Sequence, residues 1–286
     1  MNLALRNLTT FALALVGGNA LGWHDGGHMV VAEIARQSLP PKIVAECEWL
    51  LKQDADPKTD TFVTASCWAD DFKSQQSAPW HYINFHFRTD GKTTENKPAP
   101  QNILVAIDRF SAVLKDKRKD PKERAEALRY LLHFVGDVHQ PLHAVARDTD
   151  EHPDGDRGGN EFNIKPIDRH RDLQRPPTNL HALWDMGGNL FRPTPRPLST
   201  DGLATVVRIA NSIRGRHPEP TLDNVANLDA SAWAQESLDI AKRFVYDLKE
   251  DEAPSAEYIR QCEDVSAKRV AYAGYRLASL LKKLMG

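Results

Sequence analysis

PKERAEALRYLLHFVGDVHQPLH, residues 121–143, is the stretch from which the rest of the chain can be read. Pro121 stands where a first helical turn tolerates proline, and the apolar spacing that follows predicts a helix reaching Gln140. Its last eleven positions hold three histidines and one aspartate. His133 and Asp137 are four apart and so share a helix face, while His139 falls off that face. His143 lies past Pro141, where the helix has to end or bend. Metal-type ligands crowded at a helix end call for partners elsewhere.

Outward from this stretch the pattern stays helical. GHMVVAEIARQSL carries apolar residues at helical spacing and is stopped by Pro40-Pro41; a short helix is expected from Pro41 to Lys52. TFVTASCWADDFK follows a polar break, and a polar loop covers 86–101. Asn102 is placed to cap NILVAIDRFSAVLKD. An irregular region rich in Asp, Gly, Arg and Pro runs from about 144 to 178, a length that marks functional or disordered loops. Another helix starts near Asn179, and three more patterns lie near 202–215, 230–249 and 255–284. In the last, Ile259, Cys262, Val270, Gly274, Leu277, Leu281 and Leu284 form one buried stripe. The reading is all-α: a single mainly helical domain over 23–286, with long irregular loops.

Residues 1–22 read as a cleaved signal peptide, with Arg6 as the positive region, FALALV as a short apolar core and Ala20-Leu21-Gly22 as the cleavage site. Cleavage there leaves Trp23 as the mature N-terminus, and no later segment is apolar enough to span a membrane, so a secreted or periplasmic protein is expected. A formal charge of -2 provides no general field for polyanions; a nucleic-acid substrate must be drawn by a local feature such as bound cations. Cys47, Cys67 and Cys262 lack the spacing of a cysteine zinc site and read as buried or bridged structural residues, with no pairing fixed by the sequence.

The ligand inventory extends well beyond the opening stretch. NLHALWDMG repeats the device, with His181 and Asp185 again four apart. SCWADDF and PWHYINF add Asp70 and His81, each beside a tryptophan, and WHDGGH places His28 five residues after the new N-terminus. Each residue alone reads as a core or capping group. Five clusters in one cysteine-poor chain read as a metal centre, because unpaired buried histidine and aspartate are costly. The α-amino group of Trp23, with an ordinary pKa of about 7.7–8.0, is one whose proton a metal displaces near neutral pH.

W-x-x-G-G-H, W-A-D, W-H-Y, H-F-x-G-D-x-H-Q-P-L-H and N-L-H-x-x-W-D, spread from Trp23 to the C-terminal helices, together resemble the zinc-dependent single-strand nucleases of the S-one/P-one type. The resemblance implies a mainly helical fold shared with zinc phospholipase C and three bound zinc ions. Position by position it implies that Asp70, His81, His133 and Asp137 hold one ion, and that His143, His181 and Asp185 hold a second. The amine and carbonyl of Trp23 with His28 hold the third, Asp137 being shared. The implied activity is endonucleolytic hydrolysis of single-stranded DNA and RNA, with 3′-nucleotidase action on 3′-nucleotides. A metal-bound hydroxide attacks phosphorus and leaves 5′-phosphate products. Asp70, Asp137 and Lys73 are the catalytic candidates, and no stable protein partner is implied.

Lys73 matches a basic position suited to a phosphate oxygen, though a solvated helix lysine reads the same way. Tyr82 and Asn84 match positions lining a nucleobase pocket, Asn84 standing where some relatives carry an acid. GDRGGN ends in Asn160, matching a Gly-Gly-Asn loop near the substrate; a simple glycine turn is the other reading. Two rival functions carry different sequence marks. Zinc phospholipase C has a longer gap from tryptophan to the first histidine and usually ends its ligand set in glutamate, against Asp185 here. A non-catalytic zinc-binding protein closes its sites, often with cysteine.

Overall fold

Helix α5 (Pro121–Asp137) is sheathed by the rest of the protein: every residue from Ala127 to Asp137 is buried. A helix hydrophobic on one stripe would lie at the surface, whereas one covered all round becomes an axis on which others pack. Here α1 (Asp25–Ser38), α2 (Pro41–Leu51), α4 (Ile103–Lys115) and α9 (Ala256–Met285) all pack against it. The structure, a computed structural model, describes residues 23–95 and 97–286; the expected leader at 1–22 lies outside the described residues.

Among the described residues the remaining α-helices are α3 (Trp68–Asp71), α6 (Leu180–Asp185), α7 (Thr200–Arg216) and α8 (Ala230–Ile240). Their starts follow local chemistry. Asn102 accepts hydrogen bonds from the Leu104 and Val105 amides at the head of α4, Asp120 accepts from Lys122 N on α5, and Asn179 accepts from Ala182 N on α6. The mainly helical reading therefore stands. The stripe expected near 255–284 is the buried face of α9, where Gly274 lets the helix approach α1: a methyl at that position would collide with Ile34.

Two local departures from the sequence reading have physical causes. Strand β1 (Phe85–Phe87) pairs in parallel with β2 (Val145–Arg147), Phe85 opposite Val145. Three-residue strands have no periodicity to read and exist only through long-range pairing. The helix expected over 230–249 stops at Ile240 and continues as a single π-helical turn, Ala241–Val245. Cys47, Cys67 and Cys262 are buried free thiols. Burial pushes the Cys47 thiol up to about 12. Among the described residues no helix is long and apolar enough to cross a membrane.

Candidate metal centre

Helix α5 delivers His133 and Asp137 from its last turn, and Pro141 then forces a 3-10 turn, Pro141–Ala144, that presents His143. The β1–β2 pairing brings in His81. It ties the chain just after His81 to the chain just after His143, reinforced by Ile83 N donating to His143 O at 2.9 Å. Helix α6 adds His181 and Asp185, α3 adds Asp70, and the first turn of α1 adds His28. Among the described residues three sets able to hold an ion result: His28, His133 and Asp137; Asp70, His81 and His133; His143, His181 and Asp185.

Asp137 stands between the first two sets. Its Oδ2 lies 3.0 Å from His81 Nδ1 and 3.1 Å from His133 Nε2, while Oδ1 faces His28 Nε2 at 3.3 Å. One carboxylate thus turns an oxygen to each set. His28 and His133 stack with ring centroids 3.8 Å apart. The approach depends on Gly136, where an added methyl would lie 2.9 Å from His28 Nδ1.

Several histidines are oriented by backbone carbonyls. His133 Nδ1 donates to Ser66 O at 2.6 Å, His143 Nδ1 to His81 O at 2.7 Å, and His181 Nδ1 to Gly158 O at 2.7 Å. Such bonds fix the tautomer and leave Nε2 as the ligand atom. In contrast, both His28 ring nitrogens, His81 Nε2 and Asp137 Oδ1 are buried without a hydrogen-bond partner. Native interiors rarely leave polar atoms so, unless an ion or water satisfies them. The donor set of imidazole and carboxylate suits divalent zinc.

The electrostatics agree. Burial disfavours charge on Asp137, yet His133 and His143 hold its carboxyl well below the usual carboxylate range. Burial likewise opposes charge on His133, but Asp137 and Asp70 push it up to about 9. Burial lowers His28, His81 and His143, and raises Asp185 well above the ordinary range. Without a cation, the cluster places a proton on His133 to offset its acids.

Trp23 is fully buried at the edge of this cluster. Its Nε1 donates to Gly136 O at 2.9 Å, its ring meets Phe191 edge-on, and the next amide, His24 N, donates to Asp185 O at 2.9 Å. Lys73 reaches Asp70 Oδ1 at 3.2 Å. Tyr82, Asn84 and Asn160 line one cleft together with Leu142, Arg157 and the ligand-type residues His143 and His181. Trp80 packs on Phe110 and Tyr130, Trp68 on Tyr130, and Trp184 donates to Tyr258 Oη at 2.9 Å, so these rings support the cluster from behind.

The sequence reading passed over Gln140 and Arg157. Gln140 is buried; its Nε2 donates to Asp185 Oδ1 at 2.6 Å and its Oε1 accepts from Leu142 N. Its place between His139 and Pro141, inside the ligand motif, was the available signal. His139 is neither a surface residue nor one of the three ion-holding sets: Nδ1 donates to Val135 O and Nε2 accepts from Arg276. His86 pairs with Asp148, and His170 with Gly188 O, away from the cluster.

Comparison with known proteins gives the arrangement its context. The family description "S1/P1 Nuclease" matches residues 23–286. Endonuclease 4 of Arabidopsis thaliana is 25% identical over 94% of this chain and 91% of its own. Nuclease P1 of Penicillium citrinum is 27% identical over 57% of each chain, and Nuclease S1 of Aspergillus oryzae 27% identical over 62% of this chain and 56% of its own. A family match across the whole described helical body, around acids and imidazoles grouped as a metal-dependent hydrolase requires, leads to one conclusion: the chain belongs to the S1/P1 nuclease family and is a hydrolase of phosphodiester bonds in nucleic acid.

Proposed function

We propose that the protein is an exported, zinc-dependent endonuclease that cleaves single-stranded DNA and RNA to 5′-phosphate products and also removes the phosphate of 3′-nucleotides. The observation that carries this reading is the division of Asp137 between two ligand sets, the geometry of a carboxylate shared by two ions. Asp70, His81, His133 and Asp137 would hold one zinc; His143, His181 and Asp185 a second; and His28, Asp137 and the amine and carbonyl of a mature Trp23 the third. Bound there, zinc supplies Lewis acidity and lowers the pKa of water to about 7.

The chain's own groups account for the rest. Water attacks phosphorus in line and gives its proton to Asp70, the bond from phosphorus to the 3′-oxygen breaks, and that oxygen takes a proton from solvent to leave as a hydroxyl. Lys73, beside Asp70, swings to a non-bridging phosphate oxygen. Tyr82 stacks on a base while Asn84 and Asn160 meet its edge, contacts that need a nucleotide splayed from its neighbours. Single strands permit this cheaply, which accounts for the strand preference.

The test uses the mature protein, treated with chelator and then reloaded with zinc, on matched single- and double-stranded oligonucleotides and on phosphatidylcholine. The reading expects zinc-restored cleavage, preference for the single strand and 5′-phosphate ends. Products ending in 3′-phosphate, or turnover of the phospholipid alone, would overturn it.

A further inference from the structure

Arg157 sits at the mouth of the cleft that also contains His143 and His181, in the loop GDRGGN. The loop is held at both ends of the arginine. Asp156, fully buried, accepts from Tyr246 Oη at 2.8 Å and from Arg147 N at 3.0 Å. On the other side Gly158 O accepts from the ring of His181, and Asn160 Nδ2 donates to Arg157 O at 2.8 Å. The backbone of residue 157 is therefore tied both to the core and to a ligand-type histidine.

At this position φ is +55°, in the left-handed region that favours glycine, and Gly155, Gly158 and Gly159 around it do have positive φ. The chain nevertheless keeps a long cation here. That guanidinium is only loosely engaged: Glu161 Oε1 is 3.9 Å away, beyond hydrogen-bond reach, and the same carboxylate is closer to His152, at 3.1 Å. The side chain is 60% exposed, so it stands at the rim, whereas Tyr82, Asn84 and Asn160 line the cleft with less exposure. A rim cation of this kind meets the backbone of a nucleic acid, and groups within the cleft meet the base.

We propose that Arg157 binds the 5′-phosphate of the nucleotide whose base enters the cleft and whose 3′-phosphate lies on the metal centre, an inference that rests on the nuclease reading above. The fork of a guanidinium matches a phosphate in two parallel hydrogen bonds. It also gives a nearly neutral protein a local way to select oligonucleotides over 3′-mononucleotides.

The experiment compares kcat/KM for a nucleoside 3′,5′-bisphosphate and for the matching 3′-monophosphate, with zinc content measured for every variant. The wild type is expected to favour the bisphosphate by about tenfold. Arg157→Gln should bring that ratio to near one and lower the salt slope on a single-stranded oligonucleotide by about 0.7, and Arg157→Lys should restore part of the ratio. A ratio that survives Arg157→Gln overturns the proposal, as does an effect seen on oligonucleotides but not on the bisphosphate, which would put the contact on the other side of the scissile bond. A wild-type protein that cleaves neither compound nor any oligonucleotide overturns the nuclease reading itself, a distinct result.

Discussion

Gln140 shows how much of the candidate metal centre is built by residues outside the three sets that could hold an ion. Its amide fixes Asp185 Oδ1 and leaves Oδ2, 3.5 Å from His181 Nε2, to face the second set. Replacing it by leucine keeps the volume but frees the carboxylate to rotate. Zinc affinity is expected to fall roughly 10–100-fold, as when outer partners of ligands are removed elsewhere. Competition with a chelating dye measures this, and an unchanged affinity would show that packing alone holds Asp185. His133 makes the pH dependence explicit. In the metal-free protein its pKa is pushed up from 6.5 to about 9, so the folded state holds the proton more tightly than the unfolded chain. That contribution to stability is fully present below 6.5 and is lost as pH rises through about 9. A cation must displace the same proton, so zinc affinity should climb with pH across this window, with proton release seen in weakly buffered titrations.

At the scale of elements, the end of α5 that carries His133 and Asp137 is clamped by the C-terminal helices. Ser237 on α8 donates to Val138 O at 2.7 Å, and Arg269 on α9 donates to His139 O at 3.1 Å. Glu236 joins Arg269 and Arg276, both nearly fully buried, with contacts of 2.7 Å. Glu236→Ala strands two buried guanidiniums and should cost about 2–4 kcal/mol, less than a fully buried pair because Glu236 is partly exposed. Denaturant unfolding of the metal-free protein reads this; a loss within about 0.5 kcal/mol would mean the clamp is redundant. The helices themselves were legible in the sequence because capping and i, i+4 spacing are local. The repeated His-x-x-x-Asp device at 133–137 and 181–185 was legible for the same reason. The β1–β2 pair, the Gly158 carbonyl behind His181 and the place of Arg157 in the lining of the cleft were not, since each is defined by a partner far along the chain.

Taken whole, the molecule converges on one buried group of imidazoles and acids drawn from α1, α3, α5, α6 and the 3-10 turns Ala78–His81 and Pro141–Ala144. Cations binding the folded state alone stabilise it by mass action, by about 2.7 kcal/mol at a hundredfold excess over Kd for a single site. Chelation should therefore lower the thermal midpoint by several degrees and abolish hydrolysis together. The most direct measurement is anomalous X-ray scattering at the zinc edge from crystals of the mature protein. Three peaks are expected: one among Asp70, His81, His133 and Asp137; one among His143, His181 and Asp185; and one between His28, Asp137 and the terminal Trp23. Zinc found elsewhere, or a protein that cleaves single strands with no zinc on Asp137, would contradict the account.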